Sequence, residues 1–246
     1  MKTIISRQNP EIKNIAKLKL QKEIKLQQKF VAEGIRTCKT LIQAGFKPEM
    51  VYVTEKNVNQ GEKIVSSDKI TIVADAVMEK ISASKTPSGI LAIFPIPKQP
   101  DKSKLGNGIV LYKVANPGNM GTLIRSCAAM GFKSVVLIEG AYPWASKVVQ
   151  SSVGTIGNVD IFVWSWDMLL KNKGTVKLIA MVVAGGKKPN EMYFDNFLLV
   201  IGSEAHGISE KQIKDCDEKL TIAMPGKAES LNAAVAGSIA MYLAKQ

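Results

Sequence analysis

Short apolar blocks alternate with stretches of helical spacing along most of the chain, which is the alternation of a βα protein. The most informative stretch is Thr221–Tyr242, TIAMPGKAESLNAAVAGSIAMY. Thr221–Met224 predicts a short buried strand and Pro225–Glu229 a loop. From Ser230 on, Leu231, Val235, Ile239 and Leu243 recur at helical spacing. Ala233, Ala234, Ala236, Gly237, Ser238 and Ala240 make this helix rich in small residues. They suit close packing on the chain's own sheet, or the approach of a second backbone. A strand end, a small-residue loop and a helix start make a concave place of the kind where ligands of open α/β sheets sit.

The N-terminal part reads as a small α/β unit with a mixed or parallel sheet. Pro10 suits the first turn of a helix with Asn9 as its N-cap, and Ile12, Ile15, Leu18 and Ile24 form an apolar stripe. Strands are predicted at Phe30–Glu33, Val51–Thr54, Thr71–Ala74 and Ile90–Phe94. Helices are predicted at Arg36–Gln43, closing at Gly45, and at Asp75–Ser82. Pro95–Gly108 (PIPKQPDKSKLGNG) breaks the pattern with prolines, glycines and mixed charge, and reads as a linker. The resulting division is a domain over 1–97, a linker over 98–108 and a domain over 109–246. In the second domain strands are predicted at Ile109–Val114, Ser134–Ile138, Asp160–Val163, Lys177–Val183, Phe197–Ile201 and Leu220–Ala223. Helices are predicted at Asn119–Met130, Ser146–Ser152, Trp166–Lys171 and in the final stretch. Such an order gives a mostly parallel sheet with helices on both faces.

Composition narrows the function classes. The chain has 246 residues, 46% hydrophobic and 22% charged, enough for a packed core and too apolar for disorder. No apolar run reaches membrane-spanning length and the start lacks a signal-like apolar core, so no membrane association and a cytoplasmic location are expected. Three scattered cysteines (Cys38, Cys127, Cys216) favour a reducing compartment. One histidine, His206, and no CxxC pair leave no basis for a metal site. The net charge is +12, and residues 1–56 hold 12 Lys and Arg against 5 Asp and Glu. Lys13, Lys17, Lys19, Lys22, Lys25 and Lys29 beside Arg7 read as a phosphate-facing cluster.

Three stretches carry candidate chemistry. Asn116–Phe132 (NPGNMGTLIRSCAAMGF) follows a strand and opens a helix; Gly118 and Gly121 permit close backbone approach. Its Arg125 fits either a surface ion pair or a phosphate or ribose contact. Leu198–Ser209 (LLVIGSEAHGIS) ends a strand at Gly202 and places Glu204 in a loop, with His206 as an exposed turn residue. In the third stretch Ser230 and Asn232 stand at a helix start, where they suit capping. There is no GxGxxG, no GxxxxGK[ST] and no GxSxG.

In this order, near the C-terminal end, the three stretches resemble the SpoU (TrmH) family of RNA ribose 2′-O-methyltransferases, a branch of the SPOUT class, most of all its ribosomal-RNA members. The likeness spans residues 106–246, and residues 1–97, with KTPSGILAIF at Lys85–Phe94, resemble the family's L30e-like substrate-binding domain. The resemblance implies an α/β protein with a trefoil-knotted SPOUT methyltransferase domain and a small L30e-like domain. It implies S-adenosylmethionine as cofactor, held by backbone groups at Gly202, Ile222 and Leu231. Arg125 matches the family's essential arginine, and Asn116, Glu204, Ser230 and Asn232 match other catalytic motif positions. Arg7, Lys13, Lys17, Lys22 and Arg125 are the expected RNA contacts. The family is dimeric, which implies a homodimer through the C-terminal domain. Two positions depart from the common pattern: Ala223, where proline is frequent, and Gln150, where arginine is frequent. The expected reaction is methylation of a ribose 2′-hydroxyl in structured RNA, foremost 23S ribosomal RNA. The alternatives are a transfer-RNA ribose methyltransferase and a non-catalytic RNA-binding protein.

Overall fold

The computed structural model describes residues 1–227 and 229–246. Ala228, inside the predicted 225–229 loop, lies outside the described residues. Contacts divide the chain into two units, Met1–Lys98 with Tyr142–Gly157, and Gln99–Ala141 with Asn158–Gln246.

The first stretch contributes β1 (Lys2–Ile4), α1 (Pro10–Lys17), α2 (Gln21–Gln27), β2 (Lys29–Glu33), α3 (Ile35–Gln43), β3 (Met50–Val53), α4 (Val58–Glu62), β4 (Ile70–Val73), α5 (Asp75–Ile81) and β5 (Ile90–Pro95). The rest contributes β6 (Gly108–Tyr112), α6 (Pro117–Ala129), β7 (Ser134–Ile138), α7 (Ser146–Ser151), β8 (Asp160–Val163), α8 (Trp166–Asn172), β9 (Lys177–Met181), β10 (Phe197–Ile201), α9 (Glu210–Lys214), β11 (Glu218–Leu220) and α10 (Ala233–Leu243).

In the first unit the sheet runs β1-β4-β3-β5-β2; β1, β4 and β3 are parallel and β5 is antiparallel to both neighbours. Asn9 caps α1 by accepting from the Glu11 amide at 2.9 Å, and Pro10 opens the helix, as its fixed φ and missing N–H permit. Ile12, Ile15, Leu18 and Ile24 are all buried, although the stripe is split between two helices. Strand β1 was not foreseen: three residues with one buried side chain carry too little period-two signal.

Residues 142–157 leave the second half of the sequence and pack into the first unit. The Trp144 ring lies 4.8 Å from Phe30 and 6.1 Å from Phe46, and Phe30 stacks on Phe94 at 5.5 Å. A Cβ on Gly154 would fall 2.5 Å from the Thr37 carbonyl oxygen, so only glycine allows that approach, and its φ of +79° suits glycine too. Gln99–Gly108, read above as part of a linker, is tied into the second unit. The Gln99 side chain accepts from the Val163 amide at 2.8 Å, the Asn107 side chain from Phe197 at 2.7 Å, and the Ser134 hydroxyl from Gly106 at 2.9 Å.

The second unit's sheet runs β11-β9-β10-β6-β7-β8 and every pair is parallel. One face buries Val110, Val136, Leu198 and Val200 against Trp166, Leu169 and Ile208, with Ile213 beside them, so α8 and α9 cover it. The Trp166 indole also donates to Asp215 at 2.8 Å. On the other face α10 meets β10 and α6. A Cβ on Gly237 would fall 2.5 Å from Leu123 Cδ2 and 2.7 Å from Ile201 Cδ1.

Two readings of the final stretch need correction. The strand is Glu218–Leu220, and 221–224 is the loop beyond it; α10 begins at Ala233 after the Asn232 cap, not at Ser230. Of the apolar period read there, Leu231, which precedes the helix, and Val235 are 37% and 47% exposed and Ile239 and Leu243 are half-buried, while Ala234, Gly237, Ala240 and Met241 are buried. At position 237 the helix lies too near Leu123 and Ile201 to admit a side chain.

Trp144→Ala should lower the unfolding free energy by about 3–5 kcal/mol, the usual cost of removing a buried ring. Denaturant melts of the full chain check this, and an unchanged midpoint would contradict the packing of 142–157.

Candidate active site

Parallel pairing points the carboxyl ends of β9, β10, β11 and β6 the same way, so the loops that follow them share one edge of the second unit. After β6 the chain turns through Lys113 at φ +56° and enters α6. The Asn116 side chain caps α6, accepting from the amides of Gly118 at 2.8 Å and Asn119 at 3.2 Å. Asn232 caps α10 in the same way, accepting from Ala234 at 2.9 Å and Val235 at 3.3 Å.

Asn119 joins the three stretches. Its Nδ2 donates to Glu204 Oε1 at 2.7 Å, and its Oδ1 accepts from Asn232 Nδ2 at 3.3 Å. Asn232 has by then committed its own oxygen to the helix, so only its amide nitrogen remains to donate. Asn119 was not singled out in the sequence; the signal available was its place one helical turn after Asn116, at the first point where α6 can face a neighbouring loop.

The β10 loop closes through Ser203 and Gly207, whose amides and carbonyls pair in both directions at 3.2 and 2.9 Å. A Cβ on Gly202 would lie 2.2 Å from the Gly207 carbonyl carbon, so the loop folds back only because position 202 has no side chain. Exposed His206 donates its backbone amide to Ser203 Oγ at 3.2 Å.

Beyond β11, Ile222, Met224, Ser230, Leu231 and Ala236 line a cavity of about 100 Å³ with Met181–Val183. Ile222, Ser230 and Leu231 are thus brought together. Among the described residues, the backbone groups of Ile222–Met224 and Ser230–Leu231 have no hydrogen-bond partner in the chain. Apolar walls with spare backbone donors and acceptors suit a flat heteroaromatic ligand. The volume is below the roughly 300–1,000 Å³ of whole-ligand pockets, so a ligand of cofactor size must extend beyond it.

Arg125 lies in the exposed stripe Thr122, Arg125 and Ala129 of α6, outside the buried face of Met120, Leu123, Ile124 and Cys127. It has no hydrogen bond or ion pair among the described residues. Cys127 is not a nucleophile in waiting: burial pushes its thiol up to about 12. Between α6 and α10 the Ser126 hydroxyl meets Ser238 at 2.7 Å, and Ser238 donates onward to the Ala234 carbonyl at 2.7 Å.

In the first unit Arg7, Lys13, Lys17 and Lys22 are exposed. Lys13, Lys17 and Lys22 have no partner among the described residues, and Arg7 reaches Glu79 only at 4.0 Å. Others of the cluster are committed within the chain: Lys29 pairs with Glu49 at 2.6 Å, Lys19 donates to the Lys80 carbonyl at 2.8 Å, and Lys25 sits 5.2 Å from the Tyr142 ring centre. Burial holds Lys19 below the ordinary lysine value, with the Glu33 carboxylate opposing that shift.

The parallel sheet therefore joins three loops at its carboxyl edge, with an exposed arginine on the helix that follows one of them, an arrangement that suits a ligand-binding site of an α/β enzyme. The SpoU rRNA Methylase family matches residues 107–242 and the MRM3-like substrate binding domain matches residues 9–92. The chain belongs to the SpoU rRNA methylase family and is an RNA methyltransferase. It is 27% identical over 251 residues to 23S rRNA (guanosine(2553)-2′-O)-methyltransferase RlmP of Bacillus subtilis (strain 168), covering 98% of each chain. Its fold matches an AdoMet-bound rRNA methyltransferase from Sinorhizobium meliloti with a TM-score of 0.88 at 23% identity, over 99% of this chain and 97% of that one. A crystal structure of an RNA 2′-O ribose methyltransferase matches with a TM-score of 0.84 at 25% identity, over 98% and 97%. No described helix is long and apolar enough to cross a membrane.

Asn119→Ala should leave the fold intact, because the side chain is not in the core, yet free the Glu204 and Asn232 loops from each other. Asn232→Ala should cost about 0.5–2 kcal/mol through the lost cap. Thermal melts with methyl-transfer rates on each variant check this; a fully active Asn119→Ala protein would contradict the joining role.

Proposed function

We propose that this chain transfers a methyl group from S-adenosylmethionine to a ribose 2′-oxygen of 23S ribosomal RNA in the cytoplasm. The observation that carries the reading is the Glu204–Asn119–Asn232 chain of hydrogen bonds, which joins all three motif stretches at one sheet edge. The RNA assignment draws on the Bacillus subtilis relative, a 23S enzyme similar over nearly the full length of both chains.

Bound S-adenosylmethionine supplies a methyl group already activated by its sulfonium. The apolar walls at Ile222 and Leu231 and the spare backbone groups beside them would hold it, with Gly202 leaving room for the adjoining turn. The protein's remaining work is to align the ribose oxygen and dispose of one proton. Arg125 is the group placed to meet ribose or phosphate. Its guanidinium is a cation at neutral pH, so it orients the 2′-oxygen or an adjacent phosphate, and losing a proton to act as a base would be costly. Asn116 and Asn232 fix the helix starts, and Glu204, with Ser230 beside the cavity, completes the polar rim.

Two further features belong to this reading. The first is a homodimer through the exposed face of α10 (Val235, Tyr242) and the Thr122–Arg125–Ala129 stripe of α6, because the small-residue face of α10 is occupied within the chain. The second is a trefoil knot near the C-terminus. Residues Leu220–Thr221 are gripped by Val182 on one side and Gly186–Lys187 on the other: Val182 donates to Leu220, and Lys187 and Thr221 are joined through the Thr221 amide, each at 2.9 Å. Residues 1–98 would supply the RNA-binding domain through Arg7, Lys13, Lys17 and Lys22.

Arg125→Ala should reduce turnover by about 10²–10³-fold, as for loss of one transition-state donor, with RNA affinity changed far less. Replacing Lys13, Lys17 and Lys22 together by alanine should lower the slope of log K against log salt by about 2–3. Single-turnover methylation and salt-titrated RNA binding read the two; near-normal turnover of Arg125→Lys and Arg125→Ala alike would contradict a specific role for the arginine.

A further inference from the structure

The first unit holds a second concave place, at the carboxyl ends of its own parallel strands. Thr54, Asn57, Asp75, Met78, Pro87 and Gly89 bound a cavity of about 350 Å³, within the range of a ligand pocket. A neighbouring opening of about 440 Å³ shares Lys56 and Asp75 with it and is lined also by Ile5 and Ile72. Neither opening involves the methyl-transfer site.

The pocket is built around one fixed amide. Asn57 Nδ2 donates to the hydroxyl of buried Thr54 at 2.8 Å, and the Thr54 amide donates to the Gly89 carbonyl at 2.9 Å. A Cβ at Gly89 would fall 2.1 Å from that Nδ2, and φ there is +79°, so glycine is what lets the amide lie against the backbone. Asn57 Oδ1 is thereby left as an acceptor. The Asp75 carboxylate has no hydrogen-bond or ion-pair partner among the described residues. Buried Met78 and half-buried Pro87 supply apolar surface.

Asp75 and Asn57 thus place acceptors in a pocket that Glu79 and Lys56 also line, on a domain in which Lys and Arg outnumber Asp and Glu. Carboxylates repel the phosphates that the lysines attract, so Asp75 suits the part of an RNA chain that bears N–H donors: a base edge. A carboxylate accepts two parallel N–H bonds best, and guanine alone of the four bases offers an adjacent ring N–H and amino group. We propose that this pocket takes an unpaired guanine of the RNA substrate, paired through its Watson–Crick edge to Asp75, with Asn57 as a further acceptor, Met78 and Pro87 against the ring, and Lys56 at the mouth for the adjoining phosphate. This rests on the RNA-methyltransferase reading and deepens it by naming a specificity-determining contact.

The test uses the full chain and three short single-stranded RNAs that differ at one central base: UUGUU, UUIUU with inosine, and UUAUU. Fluorescence anisotropy at fixed salt should give tightest binding for guanine, intermediate for inosine, which lacks the amino group, and about tenfold weaker binding for adenine, the scale of one bidentate base contact. Asp75→Asn, at an exposed position, should reduce the guanine preference to about twofold or less while binding of UUAUU stays the same or tightens. Equal binding of the three RNAs, or an undiminished preference in Asp75→Asn, would overturn the proposal. Methylation of ribosomal RNA by the same preparation separates the outcomes: activity without guanine preference sinks the pocket alone, whereas absence of all RNA binding sinks the functional reading on which it rests.

Discussion

Everything at the methyl-transfer edge depends on one side chain meeting two others. Asn119 spends its nitrogen on Glu204 and its oxygen on Asn232, so the start of α6, the loop after β10 and the start of α10 cannot shift independently. An amide is suited to this task because it is donor and acceptor at once. The sheet makes the meeting possible: its strands are all parallel, and the loops that leave their carboxyl ends begin on the same side.

The same edge explains why α10 presents Ala234, Gly237 and Ala240 on its buried face. It lies close enough to α6 and β10 that a methyl group at position 237 would press on Leu123 and Ile201. This approach brings Asn232 within reach of Asn119, and it leaves Val235 and Tyr242 exposed. Packing inside one chain therefore creates the apolar surface assigned above to a second copy.

Much of the fold was legible because strong patterns carried it. Ser134–Ile138, Asp160–Val163 and Phe197–Ile201 each carry an apolar run, in the first two after a single polar residue, and form strands at those bounds. Asn9-Pro10 and Gly45 marked helix ends through local backbone chemistry that tertiary structure did not override. The end of the chain misled for a physical reason. Ile222 and Met224 wall a cavity rather than joining the sheet, and the true strand, Glu218–Leu220, carries two charged residues. The apolar period read into the final stretch likewise ran from exposed Leu231 and Val235 to half-buried Ile239 and Leu243 rather than along the buried face. The packing of residues 142–157 into the first unit had no sequence signal, since contact between Trp144 and Phe30 joins positions far apart in the chain. The motif stretches were visible individually, but the residue that links them, Asn119, could be recognised only once the loops were seen together.

The central claim is that these loops direct a methyl group to a ribose oxygen. Its most direct test is to incubate the protein with ribosomal RNA and methyl-labelled S-adenosylmethionine, hydrolyse the RNA with alkali and follow the label. A 2′-O-methyl group blocks cleavage at its own nucleotide, so the account predicts label in an alkali-resistant dinucleotide. Label released in mononucleotides, as a methylated base would give, would contradict it.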